Sequence, residues 1–532
     1  MPNVNVLRSE LFAKIGREFT DDAFEDLCFD FGVELEHGTA EEMQMNRVDG
    51  DGNAIDLSNE YVYKIEVAAN RYDLLCVEGI ASAFRVYLGL DTLPRFTVKN
   101  QSESLQEIIV KPETAAVRPC VVACVLRDIR FDIASYNSFI DLQDKLHQNI
   151  CRRRTLASMG THDLDKFRGP ITYEALPPNE IVFQALKQSE SMDANALFEV
   201  FKTDIKMKKF LPILEPFDKY PVFYDQDRQV LSLPPIINSE ATKITLDTRN
   251  VFVEITGTDI QKTKICLAVL AAQFSEHCEG DWRHKVEQVK ITYEADESKS
   301  EVTPTMSYID FDVEMEYINR ILGLNLDTAK VRECAEKMGL VMKSASEDQT
   351  SIKVEIPPTR ADILHPCDVI EDIGIGYGFN NIERVFPENN TVGTYQPINK
   401  FTDLVRQELA QAGYVESLTF SLLSLDDNYV RMRQEANLAE CVQLSNPKTQ
   451  EFEIVRTSLL PGLLKCLKEN KALNVPQKLF EVSDTVVKCS ESDTGAKNVR
   501  RIAAMVIDNS SNFEVIHGLL DLLMVKVGAD FA

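Results

Sequence analysis

The sequence predicts a multidomain α+β protein. Its 532 residues are enough for roughly three to five domains of ordinary size. Hydrophobic residues make up 44% of the chain and charged residues 27%, which is typical of a globular protein with packed cores. Strand-like runs and helical patterns alternate without a regular order, and polar segments divide them into four modules.

The first module, residues 1–95, is predicted to be a small α/β unit. An alternating start leads into helical patterns at Leu11–Ile15 and Asp21–Phe31. Tyr61–Val67 alternates like a strand, and a helix reaching about Tyr87 follows.

The second module, residues 117–290, is predicted to be an α+β domain with helices at Ile133–Cys151 and Ile260–Cys278. Gly160–Asp165 is predicted to be a polar, turn-rich segment, where a lone histidine such as His162 is more often a surface residue than a ligand contact. The predicted strands are Val121–Ile129, Tyr220–Tyr224, Arg228–Leu233, Lys243–Leu246 and Asn250–Thr256.

The third module, residues 303–382, is predicted to combine helices with a hairpin. The elements are a strand (Thr303–Ile309), two helices (Phe311–Leu322 and Asp327–Met338) and the hairpin strands Leu340–Lys343 and Ser351–Ile356.

The stretch 357–378, which follows the hairpin, is dense in carboxylates. Asp368, Glu371 and Asp372 stand at i, i+3 and i+4 of a predicted helix and share one face, and Asp362 can fold back over it. Such carboxylates repel one another unless a cation lies among them, and oxygen ligands suit magnesium or calcium rather than zinc. The alternative is a solvated acidic face with Asp362 capping the helix.

A weak internal repeat links this stretch to the first module. Arg71–Leu75 (Arg-x-Asp-Leu-Leu) matches Arg360–Leu364 (Arg-x-Asp-Ile-Leu), each after a strand and before a helix. In both copies the aspartate is predicted to cap the helix. Only the second copy is followed by clustered carboxylates, which capping does not explain.

The last module, residues 397–532, is predicted to alternate strands with three helices. The helices are Phe401–Gly413, Leu459–Asn470 and Phe513–Val527, and the strands are Val415–Leu423, Val442–Asn446, Glu451–Arg456, Lys478–Val482 and 502–507.

Charge and cysteine usage exclude some classes of protein. The net charge of −27 argues against a protein that coats nucleic acid by itself. Twelve cysteines without a Cys-x-x-Cys pair argue against zinc and against a disulfide framework, and they favour a reducing compartment. No apolar run is long enough to span a membrane, and the N-terminus does not look like a secretory signal.

Seven segments together carry a resemblance to a known family. They are Asn70–Cys76, Leu146–Cys151, Gly160–Asp165, Pro234–Asn238, Pro357–Ile363, Ser445–Thr449 and Arg456–Leu464. In this order they resemble the beta subunit of phenylalanyl-tRNA synthetase, of the archaeal and eukaryotic cytosolic type, over essentially the whole chain.

The resemblance implies a cytoplasmic subunit, without membrane association, of an α2β2 heterotetramer. The family attaches phenylalanine to tRNA(Phe) with ATP and magnesium. The alpha subunit would hold the synthetic active site and bind most of the ATP. The beta subunit would supply tRNA-handling surface, an editing domain (residues 117–290) that hydrolyses mischarged tyrosyl-tRNA, and a class II synthetase-like antiparallel sheet domain.

Residues 397–532 are expected to be a degenerate copy of the class II catalytic fold. Arg456 is followed by Thr457 and Ser458 where class II chemistry needs an acidic residue two positions on, and no late glycine-rich segment ending in arginine follows. Family members continue past Ala532, so this sheet is expected to be C-terminally incomplete. The alternative function is a truncated, non-catalytic interaction or scaffold protein derived from this subunit.

By the same resemblance, Asp362, Asp368, Glu371 and Asp372 form a structural magnesium site. For editing, a group that hydrogen-bonds the extra hydroxyl of tyrosine would discriminate it from phenylalanine. Glu254 is the leading candidate from its place in a strand. Its candidate neighbours are Asn238, Glu240 and Thr248. The alternative for each is a polar side chain on the surface of a strand.

Overall fold

The computed structural model describes residues 2–43, 45, 47, 55, 57, 60–102, 105–386, 389 and 393–529. The chain divides into two compact units, Met1–Arg384 and Val385–Ala532. Among the described residues, no helix is both long and apolar enough to cross a membrane.

The first unit begins with a three-stranded sheet packed against helices. Its elements are β1 (Asn3–Leu7), α1 (Arg8–Ile15), α2 (Asp21–Phe31), β2 (Glu34–Thr39), β3 (Tyr61–Glu66) and α3 (Val77–Tyr87). Strand β3 lies between β1 and β2 and is antiparallel to both. Phe24 of α2 stacks on Tyr63 of β3 with ring centroids 5.0 Å apart, so the helices and the sheet share one aromatic core.

A large sheet with two long helices follows in the same unit. The elements of this part are β4 (Thr97–Val98), β5 (Gln106–Val110), β6 (Cys120–Leu126), α4 (Ile133–Gln148), β7 (Ala157–Asp163), β8 (Ile171–Leu176), β9 (Val182–Phe183), β10 (Met192–Asp193), α5 (Ala194–Phe201), β11 (Tyr220–Tyr224), β12 (Val230–Leu233), β13 (Ile237–Asn238), β14 (Val251–Gly257), α6 (Ile260–Phe274), β15 (Lys285–Tyr293) and β16 (Glu301–Thr303). Strands β9 and β10 pair with each other in a separate two-stranded sheet.

This sheet curls until its two end strands approach each other. The main order is β13-β12-β11-β8-β5-β15-β6-β14-β7, and β16 and β4 pair with β15. Asn238 on the first strand donates its side-chain amide to the carbonyl of Thr161 on the last, at 3.4 Å. Beside this contact, the amide of Asp163 donates to the carbonyl of Thr242 at 2.9 Å. These contacts form a seam that closes the sheet around its inner face.

Strand β14 separates the two faces of the curled sheet. Val253 and Ile255 point to the core shared with α4 and α6. Phe252 points to the other face, into a core formed by side chains of the sheet together with Leu164 and Phe167. Because side chains alternate along a strand, Glu254 shares the inner face with Phe252.

The first unit ends with a smaller module of three strands and three helices. Its elements are β17 (Ile309–Glu314), α7 (Met315–Leu322), α8 (Thr328–Lys337), β18 (Val341–Ala345), β19 (Ser351–Ile356) and α9 (Pro366–Tyr377). Strand β19 is the centre of the sheet, between β17 and β18. The prediction of a strand at Thr303–Ile309 and a helix from Phe311 is wrong here. The alternation in Ile309–Glu314 pairs all six residues with β19, and the helix begins only at Met315.

Two predictions in the large sheet are also wrong. Gly160–Asp165 is not a turn-rich segment, because Ala157–Asp163 forms β7 with all seven residues buried. A strand buried on both faces lacks the alternation by which strands are recognised. Lys243–Leu246 is an irregular segment that enters a turn at Leu246 rather than a strand, and the amide of Thr245 donates to the hydroxyl of Thr248 at 2.9 Å.

The second unit is built on a long hairpin. Its elements are α10 (Pro397–Gln411), β20 (Val415–Glu416), β21 (Leu422–Leu423), β22 (Ile454–Val455), α11 (Leu460–Glu469), β23 (Gln477–Lys488), β24 (Ala496–Ile507) and α12 (Phe513–Lys526). Strands β23 and β24 pair over their whole length, with Phe480 opposite Ala504. Residues 442–446, predicted to form a strand, make one bridge from Gln443 to Ile454. The predicted strand Val415–Leu423 is reduced to β20 and β21 at its two ends.

Candidate functional site

The Asp368 side chain binds backbone amides at the start of helix α9. Its carboxylate accepts the backbone amides of Leu364 at 2.8 Å and His365 at 2.9 Å, while the ring of His365 accepts the amide of Cys367. Burial disfavours the charged form of Asp368, but these amide hydrogen bonds outweigh it and lower its pKa. The carboxylate is therefore part of a capping box.

Arg360 lies between Asp362 and Asp372. Its Nη2 is 2.7 Å from Asp362 Oδ2, and its Nη1 is 2.7 Å from Asp372 Oδ2. The three side chains are between 4% and 7% exposed, so the charges neutralise one another inside the protein. The guanidinium thus takes the place between these carboxylates that a metal ion would need.

Asp372 is not fully satisfied by this arrangement. Its Oδ2 lies at ion-pair distance from Arg360 but has no hydrogen bond of acceptable geometry among the described residues. Burial raises the pKa of Asp372, although Arg360 opposes the shift.

The first copy of the repeat lies against the second. Arg71 forms two hydrogen bonds with Asp73, of 2.9 and 2.8 Å. A cavity of about 30 Å³, room for about one water molecule, is lined by both arginines, by Asp73 and Thr359, and by Gln273 of α6. Gln273 donates to the carbonyl of Asp73 at 3.0 Å, so three modules of the first unit meet here.

The predicted capping role of the repeat aspartates is wrong. Cys76 precedes α3 without a side-chain cap, and His365 caps α9. Asp73 and Asp362 instead bind the arginine two residues before them, because a guanidinium offers a buried carboxylate two hydrogen bonds at once.

The four predicted magnesium ligands are not gathered around one point. Asp368 accepts hydrogen bonds from backbone amides. Asp362 and Asp372 form ion pairs with Arg360, and Glu371 is exposed. Among the described residues, no group of three or more His, Cys, Asp or Glu side chains could hold a metal ion. As arranged here, the four carboxylates do not fit a shared magnesium ion.

Glu254 occupies the inner face of the curled sheet, 1% exposed. Strand pairing sets it opposite Gly160 of β7 on one side and Ala123 of β6 on the other. The hydroxyl of Ser232 donates to Oε1 at 2.8 Å, and Oε2 has no hydrogen-bond partner among the described residues. A buried carboxylate oxygen without a donor is costly, and it is the kind of group that a ligand can satisfy.

Gly160 and Asn238 complete this pocket. A Cβ at Gly160 would lie 2.3 Å from Glu254 Oε1 and 3.1 Å from Asn238 Oδ1, so a side chain larger than hydrogen would displace both. The structure therefore brings together Glu254 and Asn238, two of the four predicted pocket residues.

The other two predicted pocket residues have different partners. Thr248 donates its hydroxyl to Asp163 Oδ2 at 2.8 Å. Glu240 pairs with Lys243 and accepts the amide of Lys187 at 3.0 Å. Burial raises the pKa of Glu240, but Lys243 and the Lys187 amide outweigh it and lower the pKa.

His162, expected to be a surface residue, belongs to the pocket. It is fully buried, its Nδ1 lies 2.8 Å from the hydroxyl of Thr242, and its Nε2 lies 3.9 Å from Glu254 Oε1. Nε2 has no hydrogen-bond partner among the described residues. The sequence signal was weak because β7 is buried on both faces and shows no alternation around the histidine.

Comparison with protein families divides the chain into four parts. The matches are to the Phe-tRNA synthetase beta subunit B1 domain (residues 1–90), the B3/4 domain (113–277), the tRNA synthetase B5 domain (311–379) and the phenylalanyl tRNA synthetase beta chain CLM domain (382–532).

Curated relatives match along almost the whole chain. The phenylalanine–tRNA ligase beta subunit of Mus musculus is 44% identical over 524 residues, which cover 98% of this chain and 88% of the mouse protein. The chain belongs to the phenylalanine–tRNA ligase beta-subunit family. This membership confirms the resemblance found in the sequence and the multidomain α+β class.

Other members of the beta-subunit family are equally similar. The Caenorhabditis elegans protein is 45% identical over 525 residues, covering 98% of this chain and 88% of its own. An Arabidopsis thaliana protein, named as the cytoplasmic beta subunit, is 44% identical over 534 residues, covering 100% and 88%. A crystal structure of an N-terminal fragment of the Pyrococcus horikoshii beta subunit superposes with a TM-score of 0.61 at 29% identity, covering 71% of this chain and 99% of the fragment.

Within this beta-subunit family, the two sites fall in different domains. Glu254, His162 and Asn238 lie in the B3/4 match, and Arg360 and its carboxylate partners lie in the B5 match.

Proposed function

We propose that this chain acts as the beta subunit of a cytoplasmic phenylalanine–tRNA ligase. With an alpha subunit, in an α2β2 heterotetramer, it supports the ATP- and magnesium-dependent attachment of phenylalanine to tRNA(Phe). The names of the mouse, worm and plant relatives support the reaction, and the name of the plant relative supports the compartment. We propose that the four modules inferred from the sequence, residues 1–95, 117–290, 303–382 and 397–532, are the functional domains of the chain.

The environment of Arg456 supports a synthetic site on the alpha subunit. Its guanidinium is 4% exposed, lies 2.8 Å from Glu481 Oε1 and donates to the hydroxyl of Thr419 at 2.9 Å. An arginine neutralised in this way does not have its charge free for ATP phosphates. Residues 397–532 therefore act as a class II-like domain with a structural role.

The B3/4 domain, in this proposal, hydrolyses mischarged tyrosyl-tRNA. Water adds across the ester bond and releases free tyrosine and tRNA. The observation that carries this part is the buried Glu254 Oε2, which accepts no hydrogen bond from any of the described residues. The hydroxyl of tyrosine can donate to it, whereas phenylalanine leaves it unpaired, and sites of this kind discriminate by as much as about 10⁴-fold.

The test uses the full chain co-expressed with an alpha subunit. We expect phenylalanylation and tyrosyl-tRNA hydrolysis by the complex, and a roughly 10- to 100-fold slower hydrolysis in Glu254→Gln, the usual effect of losing a hydrogen bond to a charged group. Glu240→Gln is the matched control, because the Glu240 carboxylate is bound by Lys243 and the Lys187 amide and not by Glu254, Asn238 or His162. A complex without hydrolytic activity, or equal loss in both variants, contradicts the editing role.

In this proposal, magnesium is required for the ATP-dependent attachment of phenylalanine. Its binding by Asp362, Asp368, Glu371 and Asp372 remains a proposal that requires Arg360 to leave the two aspartates it holds. A melting temperature of the complex that rises with added magnesium, and no longer rises in Asp368→Asn, would support that site.

A further inference from the structure

Glu254 Oε2 and His162 Nε2 are two buried polar atoms on neighbouring strands, β14 and β7, of the curled sheet. Glu254 Oε2 and His162 Nε2 both lack a hydrogen bond among the described residues, and Nε2 is 3.9 Å from the other carboxylate oxygen, Oε1. Both side chains are at most 2% exposed. Two such unpaired atoms on neighbouring strands are unusual, since buried polar atoms nearly always have hydrogen-bond partners.

The other nitrogen of the His162 ring, Nδ1, already has a hydrogen-bond partner. Nδ1 lies 2.8 Å from the hydroxyl of Thr242. When that hydroxyl donates to Nδ1, the ring carries its proton on Nε2, the atom beside Glu254. The pocket then presents one acceptor, the carboxylate, and one donor, the ring N–H.

A single hydroxyl group can satisfy both atoms. It donates its proton to the carboxylate and accepts the Nε2 proton with an oxygen lone pair. Water could do the same, but the surroundings favour a hydroxyl carried on an aromatic ring. The rings of Phe167 and Phe252 have centroids 6.4 and 6.5 Å from that of His162, and both belong to the apolar core on this face.

We infer that His162 is a specificity-determining residue that reads the phenolic hydroxyl of a tyrosyl ester jointly with Glu254. The inference rests on the proposed hydrolytic function of the B3/4 domain and adds a second, donating partner to it. A carboxylate alone accepts a proton from any suitably placed donor. A carboxylate and an N–H together require a group that donates and accepts at one atom, which a phenol does and an ammonium does not.

Thr242 acts through His162 as a positioning residue. It is fully buried, and its hydroxyl, when it donates to Nδ1, places the ring proton on Nε2. Without it, a proton on Nδ1 would leave Nε2 as a second acceptor facing the carboxylate, so the pocket would lose its donor.

The test compares hydrolysis of tyrosyl-tRNA and phenylalanyl-tRNA by the full chain in complex with an alpha subunit. The readout is the ratio of the two rates, which a purely structural defect would leave unchanged because it lowers both. His162→Asn keeps a polar atom near the position of Nδ1 but removes the one at Nε2, and we expect the ratio to fall about tenfold. His162→Gln places an amide nitrogen near the position of Nε2 and should restore most of the ratio.

Thr242→Val is a second, independent variant. It keeps the shape of the side chain and removes the hydroxyl, so we expect a smaller fall in the ratio. Thr242→Val also tests the role of His162 if His162→Asn does not form a complex with the alpha subunit. Complex formation is judged by the melting temperature and the phenylalanylation rate.

The outcomes separate the two proposals. A wild-type complex that does not hydrolyse tyrosyl-tRNA overturns the editing function, and this inference with it. Hydrolysis that is lost in Glu254→Gln, with a ratio unchanged in His162→Asn and Thr242→Val, overturns the role of His162 and leaves the editing function standing. A fall in the ratio in both variants, reversed in His162→Gln, supports the pair.

Discussion

Arg71 and Arg360 line one cavity, and each binds the aspartate two residues further along the chain. They occupy the same position in the two copies of a strand–turn–helix repeat. The like charges oppose each other, and Asp73, Asp362 and Asp372 compensate them. Each copy of the repeat precedes a helix, and the two copies together join two modules through one buried charge network.

Replacing Arg360 should destabilise the first unit strongly. Arg360→Met leaves Asp362 and Asp372 buried without their cation, and breaking a buried pair in this way costs about 3–5 kcal/mol. The free energy of unfolding can be followed by the fluorescence of Trp282, the only tryptophan of the chain. Lys353→Ala, which removes a half-exposed cation 3.6 Å from Asp312, is the control and should cost less than about 1 kcal/mol. Similar effects of the two variants would contradict the network.

Adding one methyl group at Gly160 should damage the pocket. The Cβ of Gly160→Ala would lie 2.3 Å from Glu254 Oε1, so the carboxylate has to move away from Ser232. We expect tyrosyl-tRNA hydrolysis to fall at least tenfold, with a smaller change in phenylalanylation. Gly518→Ala adds the same methyl in helix α12, where no other described residue comes within 4 Å of it apart from the helix's own backbone and chain neighbours, and should leave hydrolysis unchanged. Normal hydrolysis by Gly160→Ala would show that the pocket is not the reactive site.

The stability of the first unit should depend on Glu355 in acid. Hydrogen bonds from Arg95 and then Lys343 lower the pKa of Glu355 to about 2, against the effect of burial. A carboxylate with a depressed pKa stabilises the fold above its ordinary pKa of about 4.3, and this contribution is lost as the pH falls towards 2. Urea midpoints of the wild type and Glu355→Gln should therefore differ at pH 6 and converge as the pH falls to about 2. A difference independent of pH would argue against the ion pairs.

Arg456 should matter for folding of the second unit rather than for ATP. Arg456→Gln leaves Glu481 buried without its cation, so we expect a less stable unit and a lower yield of complex. The complex that does form should keep its KM for ATP in phenylalanylation. Arg431→Gln, which removes a cation that is 67% exposed, is the control for yield. A raised KM for ATP in Arg456→Gln would instead place this arginine in a nucleotide site.

Sequence patterns located several parts of this protein correctly. The helices α2 and α6 and the strands β11 and β19 stand where helical or alternating spacing predicted them, because each buries one face or one continuous apolar run. Glu254 was found from its place between Val253 and Ile255 in a predicted strand. Among the failures are β7, which is buried on both faces, and β17, whose short alternating pattern was assigned in part to the helix after it.

By itself the sequence determined the family, the order of the modules and the two segments rich in polar chemistry, because these depend on residue types at short spacings. The tertiary structure decided what those residues do. Spacing along α9 suggested four carboxylates around one cation, but the fold inserts Arg360 between two of them. Likewise, the pairing of β7 with β14 brings His162 to Glu254 across 92 residues of chain. Contacts between distant segments follow from how strands pair and helices pack, and local spacing does not encode them.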